Sequence, residues 1–186
     1  YESTYNKVAS ITDPLGRTAR TFEYDSRGNL TKVTDALGNQ TTFTYNTKGD
    51  CLSTTDAIGN TTAYTYDTYG RLSTVTNPLG QTYTFAYNIL SNLTQKTDHR
   101  GNTTTYTYDT LGRLTKVIDP SGGYYTFTYD KNGNRTSMTD ALGNTTTYTY
   151  STYSQPIAVT DGLGNQTAFT YDVSGNMITM QDKRGN

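Results

Sequence analysis

Aromatic residues and threonines alternate strictly in short runs along this chain, as in Thr41-Thr42-Phe43-Thr44-Tyr45 and Thr104-Thr105-Tyr106-Thr107-Tyr108. A period of two predicts strands with two unlike faces. Each run closes on a tyrosine, and this tyrosine recurs at Tyr1, Tyr24, Tyr45, Tyr66, Tyr87, Tyr108, Tyr129, Tyr150 and Tyr171. From Tyr24 onward the step is always 21 residues; the first unit is 23 residues long. Two positions earlier stands a second aromatic: Phe22, Phe43, Tyr64, Phe85, Tyr106, Phe127, Tyr148 and Phe169. Residues i and i+2 share a face of a strand, so each copy places two rings on one side and threonines on the other. Stacked copies would form two parallel aromatic ladders. Thr, Gly, Asn and Tyr dominate and nothing recurs at a 3.6-residue spacing, so no helix is predicted.

Between the runs lie two turn signals. After the register tyrosine comes Asp or Asn, two variable residues and Gly, as in Asp25-Ser26-Arg27-Gly28 and Asp130-Lys131-Asn132-Gly133. That order predicts a three-residue hairpin loop, a type I turn followed by a left-handed glycine in a G1 bulge. Its glycines are Gly28, Gly49, Gly70, Gly112, Gly133 and Gly175; Ser91 and Ser154 replace them in two copies. The return strand is shorter and aliphatic, as in Leu72-Ser73-Thr74-Val75-Thr76, and Gln155-Pro156 interrupts it in the eighth copy. It runs into a second turn of the form Asp-Pro/Ala-Leu-Gly, with Gly16, Gly38, Gly59, Gly80, Gly101, Gly122, Gly143, Gly164 and Gly185. Here Asp can accept from turn amides, Pro presets φ and Gly suits the exit.

The expected fold class is therefore all-β: tandem 21-residue β-hairpin repeats joined into a long antiparallel sheet. We divide residues 1–186 into a single array of nine repeats, 1–23, 24–44, 45–65, 66–86, 87–107, 108–128, 129–149, 150–170 and a partial 171–186. About 18 strands at roughly 4.8 Å each would make a ribbon on the order of 85 Å wide. Strand twist should coil such a ribbon into a spiral, a tube or a barrel-like wall. The chain opens in mid-repeat and stops inside the ninth copy, which reads as a segment of something longer.

Composition narrows the function. Fifteen basic against sixteen acidic residues give a formal net charge of −1, so no basic stripe is available for nucleic acid or an acidic membrane surface. No apolar run approaches the roughly 20 residues of a spanning helix. Apolar residues are 32% of the chain and 18 of them are tyrosines, which predicts a thin, aromatic core. The single cysteine, Cys51, holds a slot that is Leu30, Leu72, Leu93 and Leu114 in other copies and reads as a small core residue.

The string Tyr-Asp-x-x-Gly-Arg/Asn-Leu-Thr followed by Thr-Asp-Pro/Ala-Leu-Gly-Asn resembles the Rhs or YD repeat. It stands nearly complete in Tyr66-Asp67-Thr68-Tyr69-Gly70-Arg71-Leu72 with Thr76-Asn77-Pro78-Leu79-Gly80, and the resemblance covers the whole chain. The opening Tyr1-Glu2-Ser3-Thr4-Tyr5-Asn6 also resembles a recurrent variant segment of bacterial Rhs proteins. The resemblance implies a β-ribbon spiralling into a hollow shell. In bacterial polymorphic toxins and insecticidal toxin complexes such a shell encloses a C-terminal toxin; in animal teneurins it is part of an adhesive ectodomain. It further implies a secreted or cell-surface, bacterial location. The family's self-cleavage motif and toxin are not among these residues, so the expectation here is shell wall alone.

No enzymatic chemistry, cofactor or metal is expected. His99 is the only histidine and reads as a solvated turn residue about 50 residues from Cys51. Asp130-Lys131-Asn132-Gly133-Asn134 faintly resembles an EF-hand loop, but its Gly falls at position four and its twelfth position is Ala141. The repeated Asp35, Asp56, Asp98, Asp119, Asp140, Asp161 and Asp182 are explained by the turns. Asn-x-Thr sequons at Asn29, Asn39, Asn60, Asn92, Asn102, Asn134, Asn144 and Asn165 arise where Gly-Asn turns enter threonine-rich strands. The aromatic ladders have two readings: cohesion of the sheet, or a surface that stacks on sugar rings. The expected partners are flanking repeats, with an enclosed C-terminal toxin under the first reading and glycans under the second, an extracellular fibre or adhesin.

Overall fold

In the computed structural model the described residues are Tyr1 and 6–184; residues 2–5, in the opening stretch, and Gly185 and Asn186 lie outside them. The chain divides into two compact units, Tyr1–Phe85 with Asp98–Arg100, and Ala86–Thr97 with Gly101–Asn186. The first holds β1 (Ser10–Thr12), β2 (Thr18–Tyr24), β3 (Leu30–Asp35), β4 (Gln40–Tyr45), β5 (Cys51–Thr55), β6 (Thr61–Tyr66), β7 (Leu72–Thr76) and most of β8 (Thr82–Tyr87). The second holds β9 (Leu93–Thr97), β10 (Thr103–Tyr108), β11 (Leu114–Ile118), β12 (Tyr124–Tyr129), β13 (Arg135–Asp140), β14 (Thr145–Tyr150), β15 (Pro156–Thr160), β16 (Gln166–Tyr171) and β17 (Met177–Gln181). Among the described residues there is no helix. The all-β tandem hairpins expected from the alternation are present, and within each unit strands pair antiparallel with their sequence neighbours.

The two turn signals fold into one conformation. In the hairpin turn the Gly28 amide donates to the Asp25 carbonyl at 3.0 Å and the Asp25 amide to the Asn29 carbonyl at 2.9 Å. In the second turn Gly38 donates to Asp35 at 3.1 Å and Asp35 to Asn39 at 3.0 Å. Each described turn glycine predicted from the sequence, from Gly16 (φ 76°) to Gly175 (φ 86°), is left-handed. Ser91 (φ 64°) and Ser154 (φ 60°) hold the same conformation, so the loops without glycine keep the turn instead of adopting another. Pro156 begins β15 and pairs with Tyr150, so the eighth copy keeps its return strand.

A second irregularity sits at the start of each return strand. Glu23 pairs with Lys32 but Tyr24 with Leu30, leaving Thr31 extra; Thr65 pairs with Thr74 but Tyr66 with Leu72, leaving Ser73 extra. This bulge rephases the strand. Residues three apart, such as Cys51 and Thr54, thereby meet on one face, where both line a groove with Phe43, Tyr45, Tyr64, Tyr66 and Leu72. Among the described residues no hydrophobic or polar side chain is buried, and Gly28 is the one buried residue. Each unit is a single layer of sheet.

Candidate functional site: the tyrosine face

The described turns are each built around one side-chain oxygen, of a carboxylate or amide in most copies and of the Ser151 hydroxyl in one. Asp25 Oδ1 accepts from the Arg27 amide at 2.9 Å and the Asn29 amide at 2.8 Å, while Oδ2 accepts from Asn29 Nδ2 at 2.9 Å. Asp35, Asp56, Asp130, Asp140, Asp161 and Asp172 repeat this arrangement with an asparagine four residues on. Asp67 and Asp109 take the guanidinium of Arg71 and Arg113 instead, at 2.7 and 2.6 Å. The asparagine side chain, then its backbone amide, hold the Asp25, Asp56, Asp161 and Asp172 carboxyls below the usual carboxylate range. Asn46, Asn77, Asn88 and Ser151 serve as the uncharged equivalents.

The register tyrosine closes the gap that the ladder leaves. β3 and β4 pair from Thr34–Gln40 to Lys32–Thr42 and then part towards Leu30 and Tyr45. The Tyr45 hydroxyl reaches across that gap and donates to the Leu30 carbonyl at 2.8 Å. Tyr66 to Cys51, Tyr108 to Leu93, Tyr129 to Leu114, Tyr150 to Arg135 and Tyr171 to Pro156 repeat the link at 2.7–2.9 Å, always 15 residues back. Tyr24 makes it to Val8 at 2.9 Å. Tyr87 is a half-buried member of β8, whereas Tyr1 is 83% exposed and lies outside any strand. Burial, rather than a neighbouring charge, is the main cause that raises the Tyr45, Tyr66 and Tyr108 hydroxyls above their ordinary pKa.

The other aromatic of each pair makes no such demand on an oxygen, and both Phe and Tyr occur there. Its ring faces an aliphatic or threonine side chain across the sheet: Phe22 opposite Val33, Phe43 opposite Thr54, Tyr64 opposite Val75, Tyr106 opposite Val117, Phe127 opposite Met138, Tyr148 opposite Val159, Phe169 opposite Met180. Rings of successive repeats are thus interleaved with a return strand instead of stacking directly on one another. Phe85 lies in β8. Cations join the face in the second unit, where the Arg135 guanidinium lies 4.7 Å from the Tyr148 ring and 5.7 Å from Phe127. Arg113 lies 4.9 Å from Tyr129. The opposite face is knit by hydroxyls, as between Thr65 and Thr74 at 2.7 Å and Thr55 and Thr61 at 2.8 Å.

The hairpin turns are linked from one repeat to the next. Arg27 Nη1 donates to the Thr47 carbonyl at 2.7 Å, Arg113 Nη1 to the Asp130 carbonyl at 2.8 Å, and Asn134 Nδ2 to Ser154 Oγ at 3.0 Å. Lys7 makes the corresponding link to the Gly28 carbonyl. The residues singled out for chemistry do not converge. His99 is exposed and packs edge-on to Tyr83 at 5.7 Å, and Cys51 is half-buried with Sγ 3.4 Å from the Ser53 carbonyl. Among the described residues no group of three His, Cys, Asp or Glu is placed to hold a metal ion.

This geometry defines a class, an array of repeated hairpins cross-linked by tyrosine hydroxyls. A profile of the RHS repeat matches seven stretches, residues 4–40, 24–57, 45–82, 66–98, 87–124, 129–154 and 152–186. The chain belongs to the RHS repeat family. No curated protein sequence matches it. Among solved structures, the crystal structure of TcdB2-TccC3-TEV is similar with a TM-score of 0.65 and 16% identity, over 92% of this chain and 13% of that one. The Photorhabdus luminescens Tc holotoxin pore gives a TM-score of 0.65 and 16% identity over 97% and 13%. TcdB2-TccC3 without its hypervariable C-terminal region gives 0.58 and 16% over 89% and 11%. At this identity the likeness is one of fold, and the chain spans 11–13% of the length of those chains.

Proposed function

We propose that this chain is a stretch of the wall of an Rhs-type β-shell that encloses a C-terminal toxin or effector outside the cell or at its surface. One observation carries the reading: within each unit the sheet is cohesive although no side chain is buried among the described residues. Tyrosine hydroxyls, turn carboxylates and threonine pairs complete its hydrogen bonding within one layer. A layer so built can keep solvent on one face and a lumen on the other. Its partners in this role are flanking repeats on either side and the enclosed passenger, and no residue of the wall performs chemistry. The fold shared with chains of the TcdB2-TccC3 structures supports it.

Electron microscopy of the full-length native product tests the proposal. Closed hollow particles with internal density, and a C-terminal passenger that resists protease until the particle is opened, are expected. Open fibres with an accessible C-terminus would overturn containment and favour an adhesive fibre.

A further inference from the structure

The two units place their charges differently. In the first, each cation on a strand faces a carboxylate: Lys32 is ion-paired with Glu23, and Arg20 lies opposite Asp35. In the second, all seven side-chain carboxylates are aspartates that open turns, from Asp109 to Asp182. Each accepts from a turn amide two residues on. Apart from Asp140, which ends β13 and opens a turn, the strands of this unit carry cations only: Lys96 in β9, Lys116 in β11 and Arg135 in β13. Two of the three stand on the tyrosine face. Lys96 pairs with Thr104, two residues before Tyr106, and Arg135 pairs with Tyr129. Their slots are aliphatic in other copies, Val75 and Val117 for Lys96, Leu72 and Leu114 for Arg135. The Arg135 guanidinium rests against the Phe127 and Tyr148 rings and donates one N–H to the Tyr148 hydroxyl at 3.0 Å. Lys96 is exposed, and among the described residues neither cation forms an ion pair. A guanidinium fixed on rings keeps the rest of its planar fork for a carboxylate.

We propose that the tyrosine face of the second unit docks an acidic polypeptide segment, whose carboxylates Arg135 and Lys96 receive. The inference rests on the shell reading for its source: the segment belongs to the enclosed passenger, and the tyrosine face is the one turned to the lumen. Charge and spacing select the occupant. Four strand spacings separate the two cations, about 19 Å across the sheet, which roughly six residues of extended chain span. A nucleic acid carries an anion every few ångströms and is held by a dense row of cations. Two sparse cations among tyrosines suit a peptide whose acidic residues are separated by neutral ones.

Calorimetric titration of the chain with a short synthetic peptide alternating glutamate and serine is the test. Binding that weakens with added salt is expected. The combined Arg135→Leu and Lys96→Val variant, which installs the residues of the neighbouring copies, should bind at least tenfold more weakly with an unchanged melting curve. Lys116 lies on the opposite face, paired with Thr107 and Thr126, so Lys116→Thr should bind like the unmodified chain. No binding, equal binding of the glutamine counterpart, an equal loss with Lys116→Thr, or tighter binding of an oligogalacturonate would each overturn the proposal. In the full-length product a carbodiimide, which joins an amine to a carboxylate, should link Lys96 to the passenger; linkage to wall residues alone would overturn the passenger as occupant. Peptide binding in a product that forms open fibres would overturn containment and that source, and leave the acidic docking surface standing.

Discussion

Phenylalanine and tyrosine interchange two positions before the register tyrosine, but the register position itself is always tyrosine. The hydroxyl that crosses to the preceding repeat explains the difference. Tyr66→Phe or Tyr108→Phe should therefore cost about 1 kcal/mol through an unanswered carbonyl. Tyr64→Phe should stay within a few tenths; denaturant midpoints compare the two. Equal effects at the two positions would mean that the ring alone matters. The turn glycines act through the backbone. A methyl at Gly133 meets nothing within 4 Å, yet φ is 89°, so Gly133→Ala should lose roughly 1–2 kcal/mol through conformation alone. Gly133→Asn should lose less, because asparagine tolerates the left-handed region. The glycines were legible from turn chemistry; the hydroxyl's partner was not, because alternation reports a side chain's face and never the atom it reaches.

At the scale of the element, the hairpin was legible from period and turn residues, and its two turns read as different kinds. They are one kind, because an Asp or Asn, or Ser151 in one copy, bonds the amides two and four residues on and dictates the loop whatever lies at the tip. The bulge after each hairpin turn was missed. Its trace is the three-residue step from Leu72 to Val75, or Leu114 to Val117, out of phase with a regular strand. Turn electrostatics set the acid limit of stability. The folded-state pKa of Asp25, Asp56, Asp140 and Asp172 is depressed, so their contribution is present above the ordinary carboxylate value and is lost as pH falls below about 4. The tyrosines set the alkaline limit. Their folded-state pKa is raised, so their contribution holds below about 10 and disappears above it. Melting temperature against pH should show a plateau with both shoulders, and Asp140→Asn should reduce the acid one.

At the scale of the whole molecule, a repeat array whose described residues bury no side chain draws its stability from neighbouring repeats. Replacing Tyr108 and Tyr129 together by Ala should speed proteolysis around β9–β13 while distant hairpins keep their amide protection; uniform loss along the chain would show one cooperative unit instead. The array and its family were legible because a strict 21-residue pitch is a whole-chain signal. The exposed leucines of the second turns, such as Leu37 at 88%, were not, since turn chemistry accounts for the Asp, Pro and Gly of that turn and does not fix the exposure of its Leu. The tyrosine hydroxyls add a direction to the array: Tyr45, Tyr66, Tyr108, Tyr129, Tyr150 and Tyr171 each bond a carbonyl 15 residues behind, Tyr24 one 16 behind, and the hairpin-turn links reach 17 to 21 residues. Through these links a repeat is completed by the one that follows it. Such short-range contacts favour rapid folding. A chain of this kind emerging N-terminus first, from a ribosome or a secretion channel, can lay down finished sheet at the pace of its own emergence, each new hairpin templated on the last.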